Sequence, residues 1–120
     1  VELLPAAADD ALLGDLPPAF PAYQWHHYCF ELPPGATALA RSPACLQAFR
    51  LGHAWGLQFH PEVTPAILRD WIGDWRSDDV LAAEGLDEAA ALEQADALIG
   101  GWTVVGTAIA TAFLRVADAG

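Results

Sequence analysis

Apolar and polar positions alternate with a period near two through the middle of the chain. Toward its end they recur at helical spacing, so strands followed by helices are predicted. Val1–Leu4 reads as the end of a strand. Asp9 or Asp10 is placed to cap a short helical turn through Leu13, stopped at Gly14. Leu16-Pro17-Pro18-Ala19-Phe20-Pro21 is a stiff connector, and the aromatic-rich run Tyr23 to Phe30 predicts a strand ended by the turn Pro33-Pro34-Gly35. Thr37–Ala40 predicts another short strand before a Ser42-Pro43 turn. Leu46–Leu51 and Ala54–Phe59 are two strand-length runs joined by Gly52-His53. Gly first in a two-residue loop is the signature of a type II′ hairpin. In the second run Trp55, Leu57 and Phe59 share one face and Gly56 and Gln58 the other.

Thr64-Pro65 is a helix start, a capping hydroxyl followed by proline at the first helical position. Ile67, Leu68, Trp71, Ile72 and Trp75 then give that helix one buried face. A polar, acidic stretch from Arg76 to Glu84 separates it from a last helix beginning near Leu86. There Leu92, Ile99, Trp102, Gly106, Ile109, Phe113 and Val116 fall near one face, and Gly100-Gly101 is expected to weaken or kink the helix. Ala97 to Leu114 carries no charge and reaches the lower length limit for a membrane span. Its glycines and threonines make it a poor lipid-facing helix, so a core-packing helix is the expectation.

Composition narrows the class. The chain has 120 residues, enough for one small domain with a core, and a net charge of −11 with only five basic residues, all arginine. That balance disfavours nucleic acid and anionic membrane surfaces as partners. No signal peptide is evident, so a cytoplasmic, reducing setting is expected, with Cys29 and Cys45 free although one disulfide between them is conceivable. The chain contains no methionine, even at position 1, which suggests a piece of a longer protein.

Candidate chemistry lies just beyond the hairpin. Continuing its alternation puts His60 on the face of Gln58, and Glu62 follows two residues later. In extended backbone, residues i and i+2 point the same way, roughly 6.5–7 Å apart along the chain. A glutamate side chain closes most of that distance. Pro61 between them fixes its own φ and biases His60 away from helical geometry. A carboxylate on one imidazole nitrogen fixes the tautomer and leaves the other nitrogen as a base. Taken alone, two such residues are more often an ordinary surface pair beside a loop.

The surroundings reverse that reading. Gly56-Leu57-Gln58-Phe59-His60-Pro61-Glu62-Val63 closely resembles the histidine and glutamate segment of class I glutamine amidotransferases. Weaker matches precede it in the right order: Trp25-His26, Phe30, Leu32-Pro33-Pro34-Gly35, Ser42-Pro43-Ala44-Cys45 and Gln47-Ala48-Phe49-Arg50. They are similar to the stand-alone branch that looks like the amidotransferase half of GMP synthase. The resemblance runs from about Val1 to Trp75. Beyond it, residues 76–120 meet only the general expectation of closing helices.

The resemblance implies an α/β fold, the C-terminal half of a three-layer flavodoxin-like class I glutamine amidotransferase domain. This part would supply antiparallel strands, the catalytic loop and the closing helices. It implies that His60 is the base and Glu62 its orienting carboxylate, acting with a cysteine that forms a glutamyl thioester. It also implies glutamine or a γ-glutamyl compound as substrate, with ammonia passed to a synthase domain or subunit. The Gly-x-Cys-x-Gly elbow that carries the family's nucleophile is absent here. Neither Cys29, flanked by Tyr28 and Phe30, nor Cys45, after a Ser-Pro-Ala turn, has the context of a reactive thiol, and both are expected to be structural. A degenerate binding or regulatory module and a γ-glutamyl conjugate hydrolase remain as alternatives.

His27 and Tyr28 depart from the family, where a small and then an acidic residue are common. His26 is expected near the cleft or in a packing or hydrogen-bonding role, and His53 exposed in the hairpin loop. No cofactor is implied. No histidine–cysteine or histidine–carboxylate set has a metal-binding spacing along the chain, because His26 and His27 are adjacent and neither has an obvious third ligand.

Overall fold

A computed structural model describes residues 1–74 and 87–119. Four short strands make one antiparallel sheet in chain order: β1 (Glu2–Leu3), β2 (Thr37–Arg41), β3 (Leu46–Leu51) and β4 (Ala54–Leu57). Two helices follow, α1 (Pro65–Asp74) and α2 (Glu88–Ala119), and pack on each other. The chain is thus α/β in content, with an antiparallel sheet.

The hairpin forms as its sequence predicts. Leu51 pairs with Ala54, Arg50 with Trp55, Phe49 with Gly56 and Ala48 with Leu57. Gly52 has φ +61°, and no non-glycine residue among those described has positive φ. That combination fits a type II′ turn and excludes type I′, which needs both central residues at positive φ. Opposite Phe49, a side chain at Gly56 would collide with the phenyl ring, so only glycine leaves room for it there.

Asp10 joins this hairpin to the N-terminal region. Its carboxylate accepts from the backbone of Leu12 at 2.9 Å and Leu13 at 3.1 Å, which is the predicted cap. The same group accepts from Trp55 Nε1 at 3.1 and 3.2 Å, and Arg50 lies 3.8 Å away. A 3-10 helix over Pro5–Asp9, which the sequence did not suggest, precedes that capped turn.

Two strand expectations are corrected. Tyr23 to Phe30 does not form a strand; it crosses the molecule as an irregular strap. The high β-propensity of its aromatics reflects a preference for half-buried surface rather than for a ladder. Tyr23 and Trp25 find that surface by stacking on each other at 5.8 Å and against Trp71 of α1 at 6.2 and 5.2 Å. Second, β4 stops at Leu57, short of Phe59. Gln58 N still donates to Gln47 O at 2.9 Å, after which the chain leaves the sheet.

Thr64 caps α1 as predicted, its hydroxyl accepting from Ile67 N at 3.2 Å, and Leu68 and Ile72 are buried. Trp75, the Arg76–Glu84 stretch and Leu86 lie outside the described residues. Helix α2 continues unbroken through Gly100-Gly101. Its buried stripe is Ala95, Trp102, Val105 and Ile109, whereas Phe113, expected on that face, is exposed. Length explains the difference. Helix α1 spans about 15 Å and α2 about 48 Å, so α1 covers only part of its neighbour. By length and composition α2 could also cross a membrane, with a mean hydropathy of 1.7 over its most apolar window. The expectation of a core-packing helix holds for one stripe, since Val104 and Leu114 are also exposed.

Candidate active site

The turn from Gln58 to Val63 is bracketed by two buried anchors. Phe59, 2 % exposed, meets Phe20 and Trp102 edge to face, each at 5.8 Å. Val63 is buried on the other side. Burying side chains of this size stabilises by about 1.5–3 kcal/mol each, enough to fix a short turn at both ends. Between them the side chain of His60 is about one-third exposed and that of Glu62 more than half exposed. With Phe59 taken into the core, its neighbour His60 is left on the outer side.

His60 Nδ1 lies 2.8 Å from Glu62 Oε1. A carboxylate can only accept, so Nδ1 carries the proton and the neutral ring keeps its lone pair on Nε2. Nε2 is 3.4 Å from the carbonyl oxygen of Trp25. That oxygen is also an acceptor, so it can take a hydrogen bond only from a ring protonated on both nitrogens. The imidazole and the Trp71 ring meet edge to face at 5.2 Å, and His60 N donates to Tyr23 O at 3.1 Å. The strap therefore supplies both a backbone anchor for His60 and an acceptor for its second proton.

Helix α2 closes on this turn at Gly106. A side chain there would collide with the carbonyl oxygen of Pro61, the residue between His60 and Glu62. Sequence reading placed Gly106 on the packed face of the helix and missed what it abuts. A glycine amid larger apolar residues was the available signal, but it names no partner.

His53 is exposed in the hairpin loop, as expected. Elsewhere the fold overrides sequence spacing: a ring nitrogen of His26 and the Sγ atoms of Cys29 and Cys45 lie within 4.8 Å of one another. The third ligand-type atom that the sequence did not reveal for His26 comes from the β2–β3 turn. Both thiols are free. Burial, then the neighbouring Cys29, pushes the Cys45 thiol up, while hydrogen bonds from Gln47 and Ser42 oppose the shift. A thiol held protonated is a poor nucleophile. Burial likewise raises the Tyr23 phenol to about 12.

A groove of about 660 Å³ runs between the strap and the two helices, lined among others by Trp25, His26, Leu68, Leu98 and Trp102. His60 and Glu62 do not line it. The groove shares the strap with the pair but is not its immediate pocket.

This sheet, hairpin and helix arrangement defines a class I glutamine amidotransferase-like fold. The chain is similar to a solved glutamine amidotransferase from Thermotoga maritima, with a TM-score of 0.77 and 28 % identity. The likeness covers 96 % of this chain and 47 % of that one, so this chain spans about half the length of the structure it matches. No family model and no curated protein matches.

Proposed function

We propose that this chain supplies the acid–base half of a glutamine-hydrolysing site, in which His60 is the base and Glu62 orients it. The observation that carries this reading is the 2.8 Å contact between His60 Nδ1 and Glu62 Oε1, inside a sequence motif of class I glutamine amidotransferases. The nucleophile is a cysteine in another part of the complete protein, whose domain is a three-layer flavodoxin-like fold. Residues 1–75 are the motif-bearing part and 76–120 the closing part.

The chemistry follows from the tautomer. His60 Nε2 takes the thiol proton as sulfur attacks the side-chain amide carbon of glutamine. The ring, now charged, is stabilised by Glu62 on one side and by the Trp25 carbonyl on the other. It returns the proton to nitrogen as the carbon–nitrogen bond breaks and ammonia leaves. Water, deprotonated by the same nitrogen, then hydrolyses the thioester to glutamate and free thiol. Ammonia passes to an acceptor on a synthase domain or subunit, in the cytoplasm.

The test is glutamine hydrolysis by the complete protein. His60→Ala is expected to lower kcat by about 10⁴-fold or more, and Glu62→Gln by a smaller factor. Full activity in His60→Ala would overturn the assignment. Absence of glutamine turnover in a folded, complete protein that carries a nucleophilic cysteine would point instead to a non-catalytic binding module.

A further inference from the structure

We propose that His26, Cys29 and Cys45 form a binding site for zinc. One imidazole nitrogen and two sulfurs are a ligand set that zinc favours, and the three atoms lie within 4.8 Å of one another. In a tetrahedral zinc site, with bonds of about 2.0–2.3 Å, ligand atoms sit roughly 3.5–3.8 Å apart. The three side chains need close by only about an ångström to reach it.

A hydrogen-bond relay holds this cluster in place. Ser42 Oγ accepts from Gln47 Nε2 at 3.1 Å, Gln47 Oε1 accepts from Gln24 Nε2 at 2.9 Å, and Gln24 Oε1 lies 2.7 Å from His26 Nε2. The last oxygen can only accept, so Nε2 carries the proton and Nδ1 is the nitrogen that would donate to a metal. Oriented histidine ligands commonly have such a partner on the opposite nitrogen. Gln47, at the centre of the relay, is 1 % exposed, so its geometry is set by the fold. Its Nε2 also approaches Cys45 Sγ at 3.5 Å.

Placement gives the site a purpose. His26 and Cys29 lie on the irregular strap, whereas Cys45 lies in the turn between β2 and β3. A metal joining them would clip the strap to the sheet, doing by coordination what the missing ladder does not. Tyr23 and Trp25, whose carbonyls meet His60, belong to the same strap. The ion would thus be structural, with its fourth position open beside exposed Cys29 to water or to a group from the rest of the protein. None of this depends on glutamine chemistry.

The full chain, reduced and freed of metal, should be titrated with cobalt(II) and then zinc(II). The expected result is one cobalt per chain, with a thiolate-to-cobalt charge-transfer band and the strong visible bands of four-coordinate cobalt, both abolished by one equivalent of zinc. Cys29→Ser should weaken zinc binding by about 100-fold or more, and Gln24→Ala by about 10-fold. His53→Ala should leave binding unchanged. Circular dichroism of Cys29→Ser, whose side chain is exposed, separates ligand loss from misfolding. The proposal is overturned if the reduced, folded chain takes up no cobalt, or if Cys29→Ser binds as tightly as the parent. It is equally overturned if the two cysteines form a disulfide in air and the reduced pair ignores metal.

Discussion

From Thr37 to Leu57 the backbone is held by its own ladder, strand against strand. From Gln58 to Val63 it is held by groups that arrive from elsewhere: the rings around Phe59, the strap carbonyl at His60, the helix at Pro61. The first arrangement is local and tolerates side-chain change, because the hydrogen bonds belong to the main chain. The second leaves side chains free for chemistry and makes each of them depend on distant neighbours. The catalytic role proposed for the pair requires that freedom, and α2, the strap and the core anchors supply the positioning that a ladder would otherwise give.

Asp10→Ala should have the largest effect on stability. It removes the acceptor shared by Trp55, Leu12 and Leu13 and leaves their donors unpaired, a loss of about 2–4 kcal/mol measurable by urea unfolding. A loss below about 0.5 kcal/mol would mean that the ladder holds without its tie to the N-terminal region.

Gly106→Val should act on the other region. The added side chain must displace the Pro61 carbonyl or lift α2, at a cost of about 1–3 kcal/mol. Hydrogen exchange should rise at His60 and Val63 while the β3–β4 amides stay protected, and glutamine hydrolysis by the complete protein should fall sharply. Equal loosening of both regions would erase the contrast between them.

The smallest effect concerns the strap. The Tyr23 phenol is raised from 10.0 to about 12 by burial, so the folded state binds its proton more tightly than the unfolded chain does. Stability from this group is complete below pH 10 and is lost as pH rises toward about 12. Tyr23→Phe should flatten that alkaline decline. An unchanged decline would place its cause in other groups.

How far the sequence foretells these regions follows the same contrast. The hairpin was legible because period-two patterning and a leading glycine act over a few residues. His60 and Glu62 were legible because they are only two residues apart, close enough to pair even though the chain turns between them. The strap was misread, since its aromatics satisfy themselves against Trp71, a partner more than forty positions away. Cys45 reaches His26 and Cys29 only once the β2–β3 turn has formed, and Gly106 meets Pro61 only once α2 has docked. Along the chain His26 and Cys29 had no evident third ligand, because that member had no local address.

The Gly52 turn also acts as the origin of a ruler. Side chains alternate from it along β4 to Leu57, and Gln58, still bonded to Gln47, hands the chain on with Phe59 in the core and His60 facing out. A lineage can therefore exchange Leu57 for another apolar residue with little consequence. It cannot lengthen β4 by a single residue without turning His60 inward and Phe59 to solvent. Insertions near this motif should be found in the hairpin loop, where the count begins, and be absent between Ala54 and Phe59.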